Sequence, residues 1–246
     1  AQRADLTDEV VRLRIAQQKN DWKTLQDFFD QATDPGEREF FVEKLADWKR
    51  RPAFLDAWVE ASPRCAEAWL VRGAHGIQWA WEARTGASAE NVDDNAWPIF
   101  FERLKQAWSD LNQALELKPA DPTPFAELIR CAMGLQMEKE VVFSCLENSL
   151  KRGAVSWKAH SSALWFICKK WYGSHEEMFD FARARSASAP EGSGLHALIP
   201  VAHHERLLYA VAFDQDQEFA ENYFNQPEVR DEIRIRALTG LEGLFI

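Results

Sequence analysis

Residues 107–119 read A-W-S-D-L-N-Q-A-L-E-L-K-P. Ala107, Leu111 and Ala114 stand at offsets of 0, 4 and 7, and Pro119 closes the stretch at offset 12. Those offsets lie on one face of an α-helix. Small residues on that face let a neighbouring helix approach, and the leucine fills the gap between its turns. Six residues after the proline comes Phe125, with Leu128 three further on. The same opening occurs upstream, where Pro63 is followed six residues later by Trp69 and then, four later, by Gly73.

This arrangement resembles the tetratricopeptide repeat, with Trp69 and Gly73 as the W-x-x-x-G of a first helix and 107–119 as a second helix. Trp157 lies 32 residues after Phe125, close to the 34-residue period of that family. Trp69 and Phe125 are 56 residues apart, and the excess over one period is placed around 77–98. The pattern is tightest over residues 63–128 and extends to about 190. The order S-P-R-C-A-E-A-W-L, W-A-W-E-A-R-T-G, A-L-E-L-K-P-A-D-P, K-W-Y-G-S and A-H-H-E-R is also similar to a bacterial helical family known only as a domain of unknown function. That resemblance covers most of the chain. It implies tetratricopeptide-like helices and no established activity.

Helical period runs through the remaining sequence, and no segment alternates as a strand does. Thr7, Asp21, Asp34-Pro35, Pro52, Ser174 and Ser193 are predicted to start helices. Later helices are expected over 65–84, 96–117, 122–136, 139–151, 156–171, 174–186, 194–212, 215–225 and 227–238. The third helix is expected to end at Lys49-Arg50-Arg51, and Gly173 to adopt a left-handed conformation between two helices. Residues 86–95 and 186–194 are polar breaks, too short for domain linkers. The expected fold is therefore all-α, a solenoid of stacked antiparallel helical hairpins with about a dozen helices. It forms a single domain over 1–246, with N-terminal helices to 62, a repeat core over 63–190 and C-terminal helices from 191.

The 246 residues are 46% hydrophobic and 28% charged, ample for a buried core. The net charge of −10 argues against nucleic acid or a membrane surface as partner and suits a basic protein. Runs such as Lys49-Arg50-Arg51, Lys151-Arg152 and Lys169-Lys170 read as cations at helix C-termini. No apolar run reaches the roughly 20 residues of a membrane span, and the charged start A-Q-R-A-D-L-T-D-E-V is no signal peptide. The chain lacks an initiator Met, which is consistent with a removed leader or tag. Cys65, Cys131, Cys145 and Cys168 are scattered among apolar positions without a C-x-x-C, as reduced, buried thiols of a cytoplasmic protein would be.

On a helical wheel, Trp69, Gly73, Gly76, Ala80 and Ala83 form a small-residue face, with Leu70, Ala74, Ile77 and Trp81 beside it. Trp79 and Trp81 point about 160° apart, so they serve different neighbours. Arg72, His75, Gln78 and Glu82 form a polar strip flanked by Trp79. In solenoids the first helices line the concave binding face. The expected contacts with a partner protein or peptide are thus Arg72, His75, Gln78, Trp79 and Glu82, joined by Glu127, Arg130, Lys158 and Ser161. The structural alternative is a solvated edge carrying an intrahelical ion pair.

Catalytic signatures are sparse. There is no phosphate loop and no G-x-G-x-x-G, Glu191-Gly192-Ser193-Gly194 is no nucleophile elbow, and His175-Glu176-Glu177 lacks a second histidine. The segment 195–206 concentrates His196, His203, His204, Glu205 and Arg206, with His196 and His203 sharing a face if Pro200 only kinks the helix. With Arg84 and His160 these residues could build a polar pocket, although no spacing forces ligands to converge, and no metal or cofactor is expected. Three functions follow: a non-enzymatic protein-binding module, an immunity or antitoxin-like protein neutralising a basic toxin, and an enzyme or metal-binding protein using the histidine cluster. The first is preferred. The oligomeric state is not readable.

Overall fold

A computed structural model describes residues 7–85, 91–153 and 155–242. The start of the chain and the first half of the break expected at 86–95 lie outside them. Among the described residues helices dominate and no strand occurs, so the chain is all-α. The helices are α1 (Thr7–Gln18), α2 (Trp22–Gln31), α3 (Pro35–Ala46), α4 (Ala53–Ala61), α5 (Ala66–Arg84), α6 (Ala96–Leu117), α7 (Thr123–Gly134), α8 (Lys139–Lys151), α9 (Trp157–Phe166), α10 (His175–Ser188), α11 (Leu198–Tyr209), α12 (Gln217–Asn222) and α13 (Pro227–Glu242). They fall into two compact units, 1–159 and 160–246, and the division lies within α9 rather than near residues 62 or 190.

The chemistry of the starts holds. Asp21 accepts from the Thr24 N–H at 3.1 Å, Asp34 from Glu37 at 3.0 Å, Ser174 from Glu177 at 3.1 Å and Ser193 from Leu195 at 3.2 Å. Each satisfies a backbone donor that the first turn leaves open. Three other expectations are corrected. Helix α3 stops at Ala46, so Lys49-Arg50-Arg51 lies in the connection to α4 and not at a helix end. Helix α9 stops at Phe166 rather than 171. Gly173 is not among the glycines of positive φ. A Cβ there would lie 2.1 Å from the Ile167 carbonyl oxygen, so close backbone approach is what requires glycine.

The first unit is organised by the α5–α6 hairpin. A Cβ on Gly73 would sit 2.8 Å from Leu111 Cγ, and one on Gly76 would sit 3.1 Å from Ala107 Cβ. Ala107, Leu111 and Ala114 are buried against that face, as the offsets in 107–119 predict. Trp58, Phe29, Phe41, Phe100, Leu70 and Ile77 fill the interior around it. Trp22 stacks on Trp58 at 6.1 Å between ring centroids. In the second unit, α9, α10 and α11 close over Leu164, Cys168, Met178, Ala182, Leu198 and Ile199. Pro200 sits in the first turn of α11, where its missing N–H costs nothing, and no kink is needed.

All four cysteines are free and buried. Burial pushes the thiols of Cys65 and Cys145 up to about 11 and that of Cys168 to about 12, and it raises Cys131 as well. They are inert apolar fillers.

One buried ionic junction binds several helices of the first unit. Arg38 of α3 donates from Nε and Nη2 to Asp121 at 2.8 and 2.6 Å, from Nη2 to Glu67 of α5 at 2.6 Å, and from Nη1 to the Phe29 carbonyl of α2 at 3.2 Å. Lys118 adds a 2.9 Å contact to Glu67. Burial favours the neutral form of Glu67, but the bonds from Arg38 and Lys118 outweigh it and hold the carboxyl down at about 2. Removing one partner strands buried charge. Arg38→Met is expected to cost about 3–5 kcal/mol in urea unfolding at pH 7. Glu67's contribution is present above its ordinary value near 4.5 and is lost as pH falls toward 2. The deficit of the variant should therefore shrink between pH 5 and pH 2; a pH-independent deficit would show that the junction acts through packing alone.

Candidate functional site

Antiparallel register decides what gathers at the outer end of the α5–α6 hairpin. With Gly76 against Ala107, the next turn of α5 brings Trp79 opposite Arg103. Arg103 Nη1 donates to the Trp79 carbonyl at 2.7 Å, and its guanidinium lies 3.3 Å from the centre of the indole. Arg51 approaches the same ring at 5.7 Å, and His75 stacks beside it at 6.3 Å. Two open cavities of about 430 and 780 Å³ meet at this point, and both are lined by Trp79, Ile99 and Arg103. The smaller adds Lys49, Glu82 and Asp93, and the larger adds Arg51, Arg72, Glu102 and Lys105.

The cations here differ in how they are held. Arg72 is clamped by Asp110 at 2.8 Å through both Nε and Nη2, with Asp56 at 3.2 Å and the Trp69 ring at 4.8 Å. Arg51 is paired with Asp56 at 2.5 and 3.0 Å. Among the described residues, Arg103 has no carboxylate within ion-pair distance. Burial draws its pKa down, an effect opposed by Glu82 and Glu102 nearby. Arg103 therefore presents a cation and an aromatic-backed surface to an incoming group.

The expected contact residues separate accordingly. Trp79 and Glu82 line the cleft and Arg72 reaches it, while Gln78 is half-buried on the same strip. His75 is corrected: it is fully buried, and its Nδ1 faces the Ala46 carbonyl at 2.9 Å. Trp81 turns to the other side, edge-on to Phe100 at 5.1 Å, so the two tryptophans do serve different neighbours. Glu127 is also buried, where it holds Lys158. Ser161, in the second unit, is buried as well. Helical periodicity finds the polar face of a helix but not the neighbour that covers it, which is why these three are interior groups. The sequence reading missed Arg51, Ile99 and Arg103. Arg51 reads as part of a helix end, but Arg103 is legible: the small-residue faces of α5 and 107–119 set the register that puts it opposite Trp79.

The histidines do not build one pocket. Arg84, in the first unit, lies over Trp81 and Trp97 at 5.5 and 5.4 Å. Within the second unit, His196 contacts Ser186 Oγ and the Pro190 carbonyl, each at 3.1 Å, and so ties down the 186–194 break. His203 lies 2.7 Å from the Tyr223 hydroxyl and 3.1 Å from Glu232, which Arg183 also holds at 2.7 Å. Burial lowers the His203 pKa and raises that of Tyr223 to about 12, the opposite of an activated phenol. Glu205 is taken by Lys170 at 2.5 Å, His160 is buried near Phe181, and His204 is exposed. Among the described residues, no three His, Cys, Asp or Glu side chains are placed to hold a metal ion. No described helix is long and apolar enough to cross a membrane.

One further group was not anticipated. Glu39 of α3 accepts from the Ser156 hydroxyl, which also caps α9 by accepting from the Ala159 N–H at 2.9 Å. Burial, supported by the charge of Glu127, raises the Glu39 carboxyl to about 7 against the bonds from Ser156 and Lys158. The chain matches no known protein family, no curated protein and no solved structure, so its site is read from this geometry alone.

The Glu39 shift has a definite sign. The folded chain keeps this proton between about 4.5 and 7 while the unfolded chain releases it, so stability falls as pH rises through that window. Glu39→Gln, which mimics the protonated carboxyl, should flatten that fall and be more stable than wild type by about 1–3 kcal/mol at pH 8. Parallel pH profiles of the two proteins in urea unfolding would refute the assignment.

Proposed function

We propose that the chain is a non-enzymatic, tetratricopeptide-like binding module that holds a partner protein or peptide in the cleft at the end of the α5–α6 hairpin and acts in the cytoplasm. One observation carries this reading: Trp79 stands in an open cleft, with Arg103 laid on its ring and Arg51 beside it. Tryptophan and arginine are the side chains that most often anchor protein interfaces, because each offers a large apolar surface with a directed polar edge. Ile99 adds an exposed aliphatic wall, and the flanking Glu82, Glu102 and Lys105 supply a charged rim. A flat indole already covered by guanidinium is poorly suited to stacking a nucleobase, which needs an open ring face. The mixed charge of the cleft suits a polypeptide carrying both apolar and charged side chains.

Affinity capture from source-cell lysate at low and high salt, with wild type, Trp79→Ala and Arg103→Glu in parallel, tests this. Wild type should retain one stoichiometric partner. Both variants should keep their far-UV helical signal and bind at least about tenfold more weakly, the loss expected for an interface anchor. A partner retained equally by all three proteins would place binding elsewhere.

A further inference from the structure

The cleft at Trp79 is not uniform in charge. The smaller cavity sets Lys49 and Arg103 beside Glu82 and Asp93 and is balanced. In the larger, Arg51, Arg72, Arg103 and Lys105 line the wall against Glu102 alone. Carboxylates behind that wall answer two of these cations: Asp56 holds Arg51, and Asp110 holds Arg72. Arg103 and Lys105 are left facing one acid. Arg103 uses Nη1 on the Trp79 carbonyl, and among the described residues its Nε and Nη2 donate to nothing. Lys105 is exposed, and among the described residues it has no ion-pair partner. Arg130, on α7, lines neither cavity.

These open donors lie beside an apolar surface. Ile99 is exposed on the wall that both cavities share with Trp79. A ligand that satisfies this wall carries a carboxylate to meet the guanidinium fork and, next to it, an aliphatic or aromatic side chain for Ile99. A basic segment would set like charge against Arg103 and Lys105, which disfavours an interface. The net charge of −10 does not forbid an acidic ligand. At physiological salt, charges farther off than about 8 Å are largely screened, whereas the cleft cations act at contact. Salt weakens the repulsion and the attraction together, so sequence preference is the sharper readout.

Resting on the reading of this cleft as a binding site, we infer that its occupant is an acidic segment of a partner protein, with a Glu or Asp side chain seated on Arg103 and Lys105 and an adjacent apolar side chain on Ile99. The test is selection from a displayed library of random twelve-residue peptides on the full chain, with counter-selection on Trp79→Ala. The retained peptides should be enriched in Glu and Asp next to Leu, Ile or Phe and depleted of Lys and Arg. Synthesised singly, they should bind wild type at least about tenfold more tightly than their Gln and Asn counterparts. Arg103→Gln should abolish that preference. Lys105→Gln, at an exposed position, should reduce it about threefold without disturbing the fold. Retained peptides that are basic or uncharged would overturn the acidic assignment and leave the cleft reading standing. Acidic peptides that either Gln variant holds as tightly as wild type would place the carboxylate elsewhere and likewise overturn it. A selection that yields no Trp79-dependent peptide would remove the cleft itself, and this occupant with it.

Discussion

The approach of α5 to α6 is the constraint on which the first unit turns. A methyl group on Gly73 would clash with Leu111, and one on Gly76 would press on Ala107 at 3.1 Å. Two helices in such contact cannot slide or rotate without a clash, so their register is fixed. From that register follow the bidentate Arg72–Asp110 pair, the edge-on contact of Trp81 with Phe100 and the placing of Arg103 on Trp79. The cleft is the hairpin's end rendered in side chains, and the glycine contact sets which of them meet there.

Electrostatics reinforces this frame unevenly. Arg38, Glu67 and Asp121 form a saturated junction in which every charge is answered, and it joins α2, α3 and α5 to the segment before α7. Elsewhere the balance is incomplete: Arg103 has an aromatic face and a carbonyl in place of a carboxylate. A chain with net charge −10 has carboxylates to spare. That Arg103 goes without one is therefore a matter of placement. Unanswered cations on an acidic protein are local inversions of its field, and such inversions orient an approaching partner.

Much of the helical plan was legible because the signals were local. Asp21, Asp34, Ser174 and Ser193 cap through hydrogen bonds that span two or three residues, and the offsets of Ala107, Leu111 and Ala114 give a packing face directly. What escaped was set over long separations. His75 looks like a surface histidine on a wheel, yet Ala46 of α3 covers it. Lys49-Arg50-Arg51 looks like a helix terminus because dipole arguments favour cations there, but the chain leaves the helix three residues earlier. His196 and His203 share a spacing of seven, but one belongs to a short 3-10 turn and the other to α11, so they answer different neighbours. Composition spoke of the whole surface and not of one cleft, and so it pointed toward a basic partner while the cleft itself carries cations of its own.

The four sealed thiols give the molecule a record of its own openings. A buried cysteine with a raised pKa reacts only when its surroundings come apart, so modification by an excess of alkylating reagent is paced by local unfolding rather than by chemistry. Cys65, Cys131 and Cys145 belong to the first unit and Cys168 to the second. Each unit thus has its own chemical clock, and the order in which the sites acquire label in the native protein ranks the two halves by how often each breathes.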